Sequence, residues 1–212
     1  MEKLKLAKHL INFIDESPSN YFACINTKNI LNEKGFTELF ETEEWKLKKG
    51  GKYFVTINDS GIIAFTIGSE KISKSGYKIA ASHTDSPGFL IKPNPEINRK
   101  GFNILNTEVY GGPILSTWFD RPLSFSGRVF VESDNAFKPK KYFIKYDKDL
   151  FIIPSLCIHQ NRSVNDGMAI NAQKDTLPLI TITDEKEKFW RRTGLQNNPY
   201  SYKKRCRNMA KF

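Results

Sequence analysis

After Pro95 no helical period intervenes until at least residue 160, and this limits the fold of the chain more than any other feature. The runs NILNTEVYGG, LSFSGRVFVE, KKYFIKY and LFIIPSL are rich in Val, Ile, Phe and Tyr and are separated by Gly, Pro and Asn/Asp turns. Such pieces read as short strands, so residues 93–185 are expected to form a β-rich unit. Residues 1–92 read differently. Leu4, Leu6, Ala7, Leu10, Ile11 and Ile14 recur at helical spacing, which predicts a helix over 3–15 with one apolar face. Ser17-Pro18-Ser19 breaks it, and a second helix is expected from Asn20 to Asn32 with Gly35 as its stop. KYFVTIN and GIIAFTIG follow, separated by Asn58-Asp59-Ser60-Gly61, the signature of a hairpin. YKIAAS then reads as a buried strand that delivers His83-Thr84-Asp85-Ser86-Pro87 at its C-terminal end, where open α/β sheets place their sites. The expected fold class is α/β, with an α/β segment over 1–92 and a β-rich unit inserted over 93–185.

Charge gives the third segment. The net charge of +10 would ordinarily point to an acidic partner. Nine of the 33 Lys and Arg, but only one of the 23 acids, lie in residues 186–212, so residues 1–185 carry just +2. The basic segment has neither helical nor strand periodicity. Trp190, Tyr200 and Tyr202 interleave with its cations, but that composition is unspecific and a nucleic-acid partner is not expected. No run approaches the ~20 apolar residues of a membrane span, so no membrane partner is expected. The start, MEKLKLAKHLINF, lacks the apolar core and cleavage site of a signal peptide. Cys24, Cys157 and Cys206 are odd in number and far apart, which excludes a disulfide framework and a Cys₄ zinc site and favours a cytoplasmic location.

Three places could carry chemistry. His83 sits at a predicted strand end, where a neutral imidazole is a good zinc ligand, and Asp85 could turn back to accept its other ring N–H. Asp85 could equally cap the loop as an Asx-turn before Pro87. His159, after the run FIIPSLCI, reads either as a partly buried histidine at a strand end or as an imidazole placed to stabilise an oxyanion. The third histidine, His9, reads as a surface or half-buried helix residue. Trp118-Phe119-Asp120-Arg121-Pro122 reads as a structural turn tied by Asp120 and Arg121. Gly111-Gly112 lacks a phosphate-loop pattern, and neither a Ser–His–Asp elbow nor a catalytic-cysteine context is present.

The segments INFIDESPSNYFA, KGFTELFETEEWKLKKGGKYFVT, ASHTDSPGFLIKPNPE, EVYGGPILSTWFDRPLSFSGRV and IPSLCIHQNRSVNDG…NAQKDTLPLI, in that order, resemble the aspartyl aminopeptidase family of cytosolic zinc exopeptidases. ASHTDSP and STWFDRPLSFSGRV in register are the specific motifs. The resemblance covers about residues 10–180. It implies a partial zinc-peptidase (phosphorylase/hydrolase-like) α/β domain interrupted by a β-rich dimerisation domain, peptide substrates with acidic or neutral N-terminal residues, two zinc ions per site, and homo-oligomers from dimers to tetrahedral dodecamers. It also implies that His83 is the first zinc ligand, that Asp85 orients it, and that His159 reaches a neighbouring subunit's active site to stabilise the tetrahedral intermediate.

The departures from the family are equally specific. Phe22 stands where many members have a histidine after the Ser-Pro motif. The family's catalytic domain resumes after the dimerisation domain and supplies a bridging Asp, paired Glu residues, another Asp and a final His. None of those motifs occurs here, which suggests a frameshift or truncation near residue 185. A chain with one histidine ligand is expected to be inactive alone. A self-association module is the alternative expectation.

Overall fold

Apolar residues at period two in KYFVTIN and at helical spacing in YFACINTKNIL build the first of two compact units, Met1–Ser86. The computed structural model describes residues 2–183 apart from 132 and 136, so the basic segment 186–212 lies outside the described residues. Helix α1 (Glu2–Asp15) and helix α2 (Asn20–Glu33) form as expected. Gly35 takes φ +78, the left-handed geometry that lets the Phe36 N–H donate back to the Leu31 carbonyl at 3.0 Å and close α2. Strand β1 (Thr37–Leu39) runs parallel to β2 (Lys52–Ile57), and β2 pairs antiparallel with β3 (Gly61–Thr66). The β2–β3 turn places Asn58 and Asp59 at φ +49 and +63, a conformation these two residue types tolerate, and the Ser60 N–H donates to the Ile57 carbonyl at 3.2 Å.

The core of this unit is small. Tyr53, Phe54 and Val55 of β2 are buried with Ala23 and Cys24 of α2, and the Cys24 thiol donates to the Gly61 carbonyl of β3 at 3.6 Å. The apolar face of α1, by contrast, is open: Leu4, Leu6, Leu10, Ile11 and Ile14 are between 56% and 73% exposed. The short helix α3 (Ile72–Ser75) leads into the YKIAAS run. This run corrects the sequence reading. Residues 77–82 belong to no strand, and Tyr77 and Ile79 are 75% and 84% exposed. The cause is pairing rather than propensity: a strand exists only beside a neighbour, and the described residues offer none here.

The second unit begins at Pro87. The expected change at residue 93 falls inside strand β4 (Gly88–Arg99), which pairs antiparallel with β5 (Phe102–Tyr110) through a turn at Lys100 and Gly101, both with positive φ. Register is lost between Ile91 and Glu96. Two prolines, Pro93 and Pro95, occupy that gap, and a residue without an N–H cannot donate to a ladder. The Asn106 side chain donates to the Asn94 carbonyl at 3.0 Å and bridges the bulge. Strands β6 (Ser126–Val131) and β7 (Lys140–Lys145) form a separate antiparallel ribbon. Strand β8 (Leu179–Ile182), which the sequence reading did not single out, completes the order β4-β5-β8. LFIIPSL makes isolated bridges at Phe151, Ile152 and Ile153 rather than a full strand. Leu105, Phe151 and Ile180 form the buried cluster, with Ile153 fully inaccessible nearby.

Candidate metal-ligating site

His83 and Asp85 sit on the loop that closes the first unit. The backbone bends at Thr84, whose hydroxyl donates to the Ser60 carbonyl in the β2–β3 turn at 2.6 Å. That hook holds the loop against the hairpin and lets residue 85 fold back on residue 83. His83 Nδ1 lies 2.7 Å from the Asp85 backbone carbonyl and 3.1 Å from the Asp85 carboxylate Oδ1. Both neighbours are acceptors, so Nδ1 carries the proton. The Nε2 lone pair is therefore left facing outward on a side chain that is 79% exposed. An imidazole whose other nitrogen donates to a carboxylate and a carbonyl is the arrangement found behind metal-bound histidines. The Asp85 carboxylate turns back to the imidazole ring.

The remaining candidates sit elsewhere. His159 lies in the second unit, in the turn after Cys157, and is exposed rather than half-buried. The run before it makes only bridges at 151–153, so no strand end is there to shelter it. His9 is exposed on α1. Asp120 ties its turn as expected, but to the backbone rather than through Arg121. It adopts φ +55, its N–H donates to the Ile153 carbonyl at 2.9 Å, and its Oδ1 accepts the Ser155 N–H at 2.9 Å. Hydrogen bonds from Ser155, side chain first and backbone second, hold the Asp120 carboxyl below its ordinary value. Burial, with a smaller push from Asp59, raises the Cys24 thiol above its ordinary value.

Among the described residues no group of three or more His, Cys, Asp or Glu side chains is placed to hold a metal ion. His83 fits as one ligand, and a tetrahedral zinc centre needs donors in addition to it.

A family model described as aminopeptidase I zinc metalloprotease (M18) matches residues 13–209, a span that includes most of the basic segment. A probable M18 family aminopeptidase 2 from Clostridium acetobutylicum is 53% identical over 185 residues, covering 87% of this chain and 43% of that protein. One from Azotobacter vinelandii is 40% identical, covering 88% and 44%. The chain thus spans less than half the length of the curated relatives it matches. Among solved structures, a cryo-EM structure of an Ape4 and Nbr1 complex superposes with a TM-score of 0.79 at 38% identity, covering 86% of this chain and 35% of that chain. The mApe1 of Chaetomium thermophilum gives 0.71 at 32% identity, covering 84% and 40%.

Proposed function

Because the chain belongs to the peptidase M18 family, we propose that it provides the N-terminal half of a zinc-dependent aminopeptidase that removes acidic or neutral N-terminal residues from peptides. The observation that carries this reading is the His83 ring, with Nδ1 anchored by two acceptors of Asp85 and Nε2 presented outward. In that reading His83 supplies one ligand, and Asp85 fixes the tautomer and raises ligand basicity. Zinc, when bound, polarises the scissile carbonyl and lowers the pKa of a coordinated water. The residues here would orient and hold; the other ligands and the general base would come from sequence that the longer relatives carry. His159, exposed in its turn, is free to approach a neighbouring copy and to stabilise developing negative charge there. A homo-oligomer, from a dimer up to a dodecamer, and a cytoplasmic location complete the proposal.

These 212 residues contain only His9, His83 and His159, so the chain alone should show no hydrolysis of an aspartyl anilide. The test joins residues 1–185 to the C-terminal part of the Clostridium acetobutylicum relative. This chimera should hydrolyse aminoacyl anilides, lose activity to a chelator and regain it with zinc. His83→Ala should abolish turnover. His159→Ala should lower kcat about 10²- to 10³-fold with little change in KM. A folded, zinc-loaded chimera without aminopeptidase activity would refute the reading.

A further inference from the structure

Asp120 stands apart among the non-glycine residues at positive φ. Asn58, Asp59 and Lys100 occupy the turns of the β2–β3 and β4–β5 hairpins, which call for that geometry. Asp120, at φ +55, follows the 3₁₀ turn Leu115–Trp118 and lies outside these hairpins. A side chain held in that region is held by its surroundings, and here the surroundings are one segment. The Asp120 N–H donates to the Ile153 carbonyl at 2.9 Å, and its Oδ1 accepts the Ser155 N–H at 2.9 Å. Ile153 is fully inaccessible, so the first bond is fastened to the core. Beyond it the chain runs out into solvent: residues 154–160 are all exposed, Leu156 at 62% and Ile158 at 47%. Among the described residues, the Ser155–Asp120 bond is the last tie between this stretch and another part of the fold before His159. The turn at His159 is closed on itself, by the Cys157 carbonyl accepting the Gln160 and Asn161 N–H groups at 2.9 and 3.1 Å.

We propose that Asp120 is a positioning residue for His159: by holding Ser155, its carboxylate sets the root of the short arm that presents the imidazole. The catalytic consequence rests on the reading that His159 stabilises developing negative charge; the tether itself does not. Chain length gives the magnitude. Four residues from Ser155 to His159 reach at most about 13–14 Å, whereas six from Ile153 reach about 20–22 Å, so losing the tether opens roughly threefold more volume to the imidazole. A misplacement of about 1 Å can cost about 10²-fold in rate, so the fall in kcat should lie between about threefold and about 10²-fold.

The test compares Asp120→Gly with Asp120→Asn. Both replacements accept φ +55, but only asparagine keeps a side-chain oxygen for the Ser155 N–H. In the 212-residue chain, backbone relaxation measured by NMR should give order parameters over 155–160 above about 0.6 for wild type and Asp120→Asn, and below it for Asp120→Gly. Amides of β5 should stay protected in both variants, because the Ile153 bond and the cluster of Leu105, Phe151 and Ile180 are untouched. In the chimera carrying residues 1–185, Asp120→Gly should lower kcat by the amount given with little change in KM. Asp120→Asn, which exchanges a charged acceptor for a neutral one, should lower it by less than about twofold. A His159→Ala background separates positioning from general damage: there Asp120→Gly should lower kcat no further. Four results overturn the proposal: unchanged order over 155–160 in Asp120→Gly, equal losses in the Gly and Asn variants, an unchanged kcat in Asp120→Gly, or the same loss with and without His159. If His159→Ala itself leaves kcat unchanged, the charge-stabilising reading fails and the positioning role falls with it. If His159→Ala lowers kcat while Asp120→Gly does not, the positioning role alone fails.

Discussion

Replacing Phe54 by alanine should unfold the first unit and leave the second standing. Phe54 is fully inaccessible at the centre of β2, and among the described residues of that unit only Ala23, Cys24, Tyr53 and Val55 are buried with it. Truncating a buried phenylalanine costs about 3–5 kcal/mol, counting both lost transfer energy and the cavity left behind. Domains of this length hold roughly 0.05–0.15 kcal/mol per residue, or about 4–13 kcal/mol for Met1–Ser86. Five buried side chains and an uncovered α1 place the unit near the low end, so the substitution removes most of what it has. Hydrogen exchange resolves the two units separately. Amides of 52–66 should lose their protection in Phe54→Ala, while those of 102–110 retain theirs. Ile63→Ala in β3 is the control: Ile63 is 54% exposed, and its loss should change stability by less than about 0.5 kcal/mol. Simultaneous loss of protection in both segments would refute the division into two units. Retained protection over 52–66 would refute the assignment of the core to β2.

Three further predictions address the loop and the turn. In wild type, nitrogen-detected NMR should find His83 as the Nδ1–H tautomer, and Asp85→Ala should lower that tautomer's ratio by no more than about fivefold, since the pair is exposed and the backbone carbonyl of residue 85 remains as acceptor; an unchanged ratio would exclude an orienting role for the carboxylate. Thr84→Val removes the hook onto Ser60 at nearly constant volume and should cost about 0.5–1.5 kcal/mol, seen as faster exchange of amides 84–86; unchanged exchange would show that the loop is held by something else. The folded Asp120 carboxyl lies below its unfolded value, so its contribution to stability is present above about pH 4 and disappears as the pH falls through the folded value. Asn tolerates φ +55, so Asp120→Asn isolates the charge. Its thermal-midpoint deficit relative to wild type should vanish on acidification, and a deficit constant from about pH 7 to pH 3 would contradict this sign.

What could be read from the sequence was local in origin. The two helices, the Asn58-Asp59 turn, the stop at Gly35 and the strands β2, β3, β5, β6 and β7 each follow from residues within one turn or one period. The His83–Asp85 pair was also legible, because its spacing is two and its acceptor lies on the same loop. The misreadings are all questions of partnership. YKIAAS has strand composition but, among the described residues, no neighbour to pair with, so composition alone placed it in a sheet. Strand β8 is four residues long and exists because β5 offers it an edge, a fact no local window contains. The texture change read at residue 93 coincides with the proline bulge inside β4. His159 was sheltered in the reading by a strand end that proved to be three bridges.

The hook at Thr84 explains why His-Thr-Asp works as a unit. Residues i and i+2 of an extended strand share a face but stand about 6.6–6.8 Å apart along it, too far for a hydrogen bond between ring and carboxylate. The pair can close only where the backbone bends at the middle residue, and here that bend is secured by a hydroxyl reaching across to Ser60. The orientation of His83 therefore depends on the β2–β3 hairpin, which in turn rests on Phe54 and its few buried neighbours. Nothing in this chain of contacts requires a metal ion: the tautomer is set by two protein acceptors before any ligand arrives. The contacts that prepare the imidazole, His83 with Asp85 and Thr84 with Ser60, all lie within the first unit, so the orientation of His83 can be tested apart from any other ligand.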